Sequence, residues 1–336
     1  MVTIYDIAKA TGYSAPTVSK ALTGAGRLSE ETRSKITKIA KDMGYEPNIS
    51  ARTLTTKKSN LIGVIYDDTG MNRGFSHPLF SEVLTRFRDS IEQSGYDLVF
   101  LSRHFNMSYY AHAKYRCVDG VIIINPATNN PAEFKDFVDG KLPRISTNTI
   151  MEGICTVISD NEGGAYKAAE YLIKNGHTKV AFISAPKSTG ISSAPQERWN
   201  GFKKAFDDYG INFDNQLFEE ADSWEKEGGF AAMERLFARC KDFTAVFTVT
   251  DQLAFGVYEY AEKHDLKIPG DISVIGFDDD KLSAFLNPPL TTFHQNAAKI
   301  AEVSADRMRL QLEGKPQSEV VRVEAEFIER KSVRKL

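Results

Sequence analysis

From residue 61 to residue 277 the chain alternates short apolar runs with segments of helical period, and this leaves few folds open. The runs are LIGVIY (61–66), DLVFLS (97–102), VDGVIII (118–124), RIST (144–147), CTVIS (155–159), KVAFIS (179–184), TAVFTV (244–249) and ISVIGF (272–277), with a weaker one near 217–219. Helices are expected between them near 79–94, 105–116, 131–139, 161–175, 196–209, 225–239 and 251–264. Continuously apolar strands joined through helices form parallel sheets covered on both faces. So many units exceed one sheet. Two doubly wound lobes are expected, with a cleft at the carboxyl ends of the strands. A final helix at 295–313 and a strand near 319–323 can cross back between the lobes.

The first 60 residues read differently. Thr3-x-x-Asp6 makes a capping box before Ile4, Ile7 and Ala8, and Gly12 ends that helix. Ser14 starts a second helix carrying Val18, Ala21 and Leu22, which Gly24 and Gly26 end. Two short helices across a tight glycine turn are the helix-turn-helix arrangement, whose second helix enters the major groove. Ser29 caps a third helix with the stripe Ile36, Ile39, Ala40 and Met43, ended by Gly44. The segment 48–58 permits about two helical turns from Asn48, too short to persist alone in water. It is either a linker or a helix that forms when docked, with Leu54 as a wedge between base steps.

Charge supports a polyanion partner for this head. Residues 1–58 hold ten Lys and Arg against five Asp and Glu, whereas the remainder holds 32 basic against 40 acidic residues.

The strings TIYDIAKATGYSAPTVSKAL (3–22), SEETRSKI (29–36), GYEPN (44–48) and ARTL (51–54) resemble the N-terminal region of the LacI/GalR family of bacterial transcription regulators. The body resembles the same family's core in DNEGGAYKAAEYLIKNGHTKVAFI (160–183), ERWNGFKKA (197–205), TDQLAFG (250–256) and PGDISVIGFDD (269–279). The resemblance implies an N-terminal all-α helix-turn-helix head with a hinge helix, plus an α/β periplasmic-binding-protein-like core of two doubly wound lobes. It divides the chain into a DNA-binding domain at 1–47, a hinge helix and linker at 48–60, and an effector-binding and dimerisation core at 61–336. The N-lobe is expected at about 61–160 and 291–318, and the C-lobe at about 161–290 and 319–336.

The implied DNA contacts are Thr3, Ser14, Ala15, Pro16, Thr17, Ser19, Lys20, Tyr45, Asn48, Ala51, Arg52 and Leu54. Ala15, Pro16 and Lys20 fall at base-reading positions, Thr17 and Ser19 at phosphate positions, and Asn48, Ala51 and Leu54 on the hinge helix. Ala15 and Pro16 offer only apolar contact, such as a thymine methyl, and Lys20 is a donor suited to guanine. Much of the remaining specificity then falls to Leu54 and to DNA deformability.

Polar residues just past strand ends give a cleft set independently of the resemblance: Asp67, Asn125, Asn148, Asp160, Asp251 and Asp278. The resemblance adds Arg198 with Asp278 as a ligand-binding pair, Trp224 for stacking and Phe80 as an N-lobe contact. The effector-binding set is therefore Phe80, Asn125, Asn148, Arg198, Trp224, Asp251 and Asp278. An aromatic face with planar amide, carboxylate and guanidinium groups suits a sugar. Two departures bear on the ligand. The connection DDTGMNRGFSHP (67–78) is long, and Ser192, Ser193 and Ala194 are small, which implies a roomy pocket.

The expected protein is thus a homodimeric repressor of a carbohydrate-utilisation operon. It binds double-stranded, pseudo-palindromic operator DNA and is released by a mono- or oligosaccharide effector. A regulator answering to a nucleobase or partner protein is the alternative, with a sugar-binding protein or enzyme without a DNA role further off. The six His residues show no metal spacing, and no P-loop or nucleophile elbow is present, so no cofactor, metal or catalytic role is expected. No apolar run reaches the ~20 residues of a membrane span. The three scattered Cys residues and the absence of a basic-then-apolar leader point to the bacterial cytoplasm. No heptad tail follows 328–336, which favours a dimer.

Overall fold

The computed structural model describes residues 2–24, 26–46, 58–66, 74–102, 107–126, 131–186 and 192–336. Asn48, Ala51, Arg52, Leu54 and Asp67 lie outside the described residues. The chain divides into two compact units, Met1–Ser59 and Asn60–Leu336.

Among the described residues the first unit has three helices: α1 (Ile4–Thr11), α2 (Ala15–Thr23) and α3 (Glu30–Asp42). The Thr3 N–H donates to the Asp6 carboxylate at 2.8 Å while Thr3 Oγ1 accepts from the Asp6 N–H at 3.3 Å. The reciprocal pair satisfies two donors that the helix start leaves open. Gly12 then turns the chain at φ 74°, a left-handed conformation that favours glycine. Ser14 caps α2, and Pro16 sits in its first turn, where a missing N–H costs nothing. Ile7, Val18, Ala21, Ile36 and Ala40 close the small core. Thr3→Ala is expected to weaken α1 by about 1 kcal/mol. Hydrogen exchange of the Ile7 and Ala8 amides in the full chain would show it as faster local opening.

The second unit holds two parallel sheets. The first contains β1 (Leu61–Tyr66), β2 (Asp97–Phe100), β3 (Gly120–Asn125), β4 (Arg144–Ser146), β5 (Cys155–Ser159) and β11 (Val320–Val323), in the order β11-β5-β4-β3-β1-β2. Its faces are covered by α4 (Pro78–Glu92) with α11 (Ala297–Leu312), and by α5 (Tyr109–Tyr115) with α6 (Lys135–Asp139). The helix expected at 131–139 is split, a 3₁₀ turn over Pro131–Phe134 preceding α6.

The second sheet is β7 (Phe218–Glu220), β6 (Val180–Ser184), β8 (Ala245–Thr248) and β9 (Ser273–Ile275), in that spatial order. Helices α7 (Asn161–Lys174), α8 (Ala194–Asp208), α9 (Lys226–Arg239) and α10 (Asp251–Lys263) pack on it. Helices α7 and α8 approach to backbone contact, since a Cβ on Gly201 would stand 1.9 Å from the Glu162 carbonyl oxygen. An antiparallel ribbon joins β10 (Thr292–His294) to β12 (Glu326–Ile328).

The lobe boundaries in the C-terminal part differ from expectation. Phe293 of β10 packs in the second-lobe core, so that lobe runs past 290. Conversely, Val320–Val323 pairs in parallel with β5, at the edge of the first sheet, rather than joining the second lobe. A short apolar run marks a strand but not the sheet edge that receives it. The chain therefore crosses between lobes three times: from β5 to α7, from β10 to α11, and from β11 to β12.

Candidate functional site

In the first unit, Val18 and Ala21 of α2 turn inward and Leu22 packs beside them against the small core. Ser14, Pro16 and Lys20 are exposed, and Ala15, Thr17 and Ser19 are half-exposed. The Ser14 and Thr17 hydroxyls bond each other at 2.9 Å, which fixes both at the helix start. The Lys20 stem runs past Gly26, where a Cβ would stand 3.3 Å from Lys20 Cδ. Exposed Thr3 is engaged in its capping box. Tyr45 is half-buried against the small core, with its N–H donating to the Ala40 carbonyl at 2.9 Å. The unit thus presents a short helix with small, apolar and cationic side chains on its outer face, a surface that fits a major groove.

In the second unit a cleft opens between the lobes in two connected chambers, of about 50 Å³ and 240 Å³. The smaller is lined by Phe80, Thr147, Asn148, Ser192 and Arg198, and the larger by Pro78, Glu82, Gln252 and His294. His77, Trp224, Asp278 and Gln295 line both. Five expected effector residues therefore converge: Phe80, Asn148, Arg198, Trp224 and Asp278.

Arg198, only 3% exposed, is the most constrained of them. Its Nε donates to Asn161 Oδ1 at 3.0 Å, and Nη1 donates to the Val249 carbonyl. The guanidinium lies 3.7 Å from the centre of the Phe277 ring, and Nη1 is 3.5 Å from Asp278 Oδ1. Burial pulls the Arg198 pKa down, while the charges of Asp278, Glu197 and Asp251 oppose that. Burial also pushes the Asp278 carboxyl up to about 7, with Arg198 pulling against it and Asp251 adding to it. The backbone supports this placement at a cost. Asp278 and Asp279 adopt φ 122° and 54°, conformations that non-glycine residues rarely hold, which concentrates strain at the cleft mouth.

Two expected ligand residues are not among the described lining of the two chambers. Asn125 ends β3 and lines neither chamber. Asp251 is wholly buried and accepts from Ser283 Oγ and Thr292 Oγ1, each at 2.6 Å, and from the Asp280 N–H at 2.8 Å. It holds the loop that carries Asp278 rather than facing a ligand. Its pKa rises to about 6 because burial outweighs those hydrogen bonds. Asp160 caps α7 through the Gly163 N–H.

Among the lining residues that sequence reasoning missed are His77, Thr147, Asn161 and Gln295. His77 caps α4 and stacks on Phe80 with ring centres 4.0 Å apart. The buried Thr147 hydroxyl has no hydrogen-bond partner among the described residues, and its place in the cleft leaves it for a ligand. Asn161 and Gln295 line the smaller chamber. Asn161 stood in the quoted string at 160–183, and His77-Pro78 carried a helix-start signal. The positions of Thr147 and Gln295 had no local signal.

Among the described residues no His, Cys, Asp and Glu group is placed to hold a metal, and no helix is long and apolar enough to cross a membrane. Asp279 is taken up by Arg330 at 2.6 Å, and Asp280 by the Gln252 amide at 3.0 Å.

Residues 3–48 match the family described as bacterial regulatory proteins, lacI family, and residues 169–333 match the periplasmic binding protein-like domain. The chain is 31% identical over 340 residues to the probable HTH-type transcriptional repressor ExuR of Bacillus subtilis (strain 168), covering 100% of this chain and 99% of that protein. It is 30% identical over 317 residues to the ribose operon repressor of Escherichia coli (strain K12), covering 91% and 92%. A LacI family transcriptional regulator from Enterococcus faecium with bound ribose superposes with a TM-score of 0.69 at 27% identity, over 82% of this chain and 99% of that one. The lac repressor dimer bound to operator and an anti-inducer shares the fold, with a TM-score of 0.80 at 24% identity over 99% of each chain.

Proposed function

Because the chain belongs to the lacI family of bacterial regulatory proteins, we propose that this DNA-binding transcription regulator represses a carbohydrate-utilisation operon and releases its operator when a sugar binds between the lobes. The cleft geometry carries this reading. A buried guanidinium and a carboxylate 3.5 Å apart, an aromatic wall at Trp224 and an unpartnered Thr147 hydroxyl form one concave surface drawn from both lobes. Carboxylate, guanidinium and amide groups pair with ring hydroxyls, and the indole covers the apolar face of a pyranose or furanose. The ribose operon repressor and the ribose-bound regulator lend support to a sugar.

The protein works in the bacterial cytoplasm as a homodimer whose two heads bind a pseudo-palindromic site. Residues 1–47 form the reading head and 48–60 the hinge, with Asn48, Ala51, Arg52 and Leu54 as its DNA contacts. On the head, Thr17 and Ser19 contact phosphates, Ala15, Pro16 and Lys20 face base edges, and Thr3, Ser14 and Tyr45 are further DNA contacts. Lys20→Ala is expected to cost about 1–3 kcal/mol at one symmetric pair of positions and to relax base preference there. Binding to a randomised operator library would show this as a flattened base profile.

Thermal melting of the purified protein against monosaccharides, disaccharides, sugar phosphates and purines tests the effector, since a ligand of the native state raises the melting temperature by mass action. A shift with a sugar that also lowers operator affinity is the expected result. A shift with a purine alone assigns the chain to the co-repressor type instead.

A further inference from the structure

Polar side chains at the crossings between lobes, buried except for Asp278 and the exposed Arg322, form one continuous chain of contacts. On the first crossing, Ser159 Oγ donates to Gln295 Oε1, which lies on the second crossing. Gln295 Nε2 donates to Asp278 Oδ1 at 2.6 Å, and the same oxygen is 3.5 Å from Arg198 Nη1. Arg198 Nε donates to Asn161 Oδ1, back on the first crossing, and Asn161 Nδ2 donates to Glu197 Oε2 at 3.0 Å. Glu197 Oε1 finally accepts from Arg322 Nη2 at 2.6 Å, at the strand that leads into the third crossing.

Each crossing, or the strand leading into it, thus contributes a member, and the Arg198–Asp278 pair sits at the middle of the chain, between its Ser159 and Arg322 ends. Ser159, Asn161, Glu197, Arg198 and Gln295 are all less than 10% exposed, so water does not substitute for these partners. Glu197 lies on α8 of the second lobe and Arg322 on β11 of the first, which makes their ion pair a strap between lobes.

We propose that Glu197, Gln295 and Arg322 are positioning residues that tie the three crossings between lobes to the effector clasp. The proposal rests on reading Arg198 and Asp278 as that clasp. A ligand that draws hydrogen bonds from Arg198 and Asp278 changes what Asn161 and Gln295 receive, and so alters all three crossings together. Linked polar groups of this kind respond as a unit rather than as independent pairs.

Hydrogen exchange on the full chain without ligand tests the circuit separately from the effector's identity. Arg322→Gln removes the strap's charge and touches neither Asp278 nor Gln295. It is expected to speed exchange about tenfold at the Asp160 amide, which bonds Val323, and at the remote Asp278 and Ala297 amides. The Val246 and Phe247 amides in the second sheet should not change. Arg322→Lys should restore part of the protection, and Lys167→Gln, which loses only the exposed pair with Glu324, should change nothing. Acceleration confined to 320–323 would overturn the proposal. So would acceleration spread evenly through Val246 and Phe247, the mark of a plain stability loss. If Arg322→Gln does not fold, Glu197→Gln keeps an acceptor for Asn161 and removes the opposite charge of the same ion pair. A failed sugar screen with remote acceleration intact would reject the effector reading and leave the circuit standing.

Discussion

Arg198→Met is expected to leave operator binding intact and to abolish its response to the effector identified by thermal melting. The substitution keeps a long apolar stem against Phe277 and removes every donor. Deleting one partner of a buried, hydrogen-bonded charge pair costs about 2–5 kcal/mol, which is roughly thirtyfold to several-thousandfold in Kd. A second effect adds to the first. Asp278 loses the charge that holds its pKa down, so its carboxyl stays protonated to a higher pH and offers one acceptor fewer to a sugar hydroxyl. Calorimetry should show the affinity loss. Operator titration with saturating wild-type effector should show a repressor that no longer lets go. An Arg198→Met protein that still releases operator at wild-type effector concentrations would place the ligand elsewhere.

Strands were legible in the sequence because parallel strands buried on both faces are written as unbroken apolar runs, as in LIGVIY and CTVIS. Arg198 was legible from its motif. Asp251 was not placed correctly, because a carboxylate after a strand reads the same whether it faces a cleft or is sewn into the neighbouring loop. Only the contacts with Ser283 and Thr292, 32 and 41 residues away in the chain, separate the two cases. The same distance in sequence hid Gln295 beside Asp278 and Arg322 beside Glu197, which are 17 and 125 residues apart. The edge position of Val320–Val323 was hidden for a related reason. Its apolar pattern states that it pairs, but not with which strand.

Asp251→Ala is expected to produce the largest stability loss among single changes at the cleft, about 3–5 kcal/mol in urea unfolding. Three donors lose their acceptor together: the Ser283 and Thr292 hydroxyls, both fully buried, and the Asp280 N–H. Each unsatisfied buried donor costs about 1–3 kcal/mol. The void is not refilled from Gly276, whose backbone packs so closely that a Cβ there would stand 2.1 Å from Asp251 Oδ1. The pH dependence gives an independent check. The folded pKa, about 6, lies above the ordinary carboxylate value near 3.8, so the folded chain binds a proton more readily than the unfolded one. The stability from that proton is fully present below the unfolded pKa and is lost as pH rises through about 6. The wild-type protein should therefore lose stability from this group between pH 4 and pH 7, and Asp251→Ala should show a shallower slope over the same interval. Asp251→Asn retains one acceptor for the loop and carries no charge to desolvate. It should fall between the two in stability at neutral pH while sharing the shallow slope. If the alanine variant melts like the wild type, the 278–283 loop is held by its own turns, and the position of Asp278 owes nothing to the carboxylate beneath it.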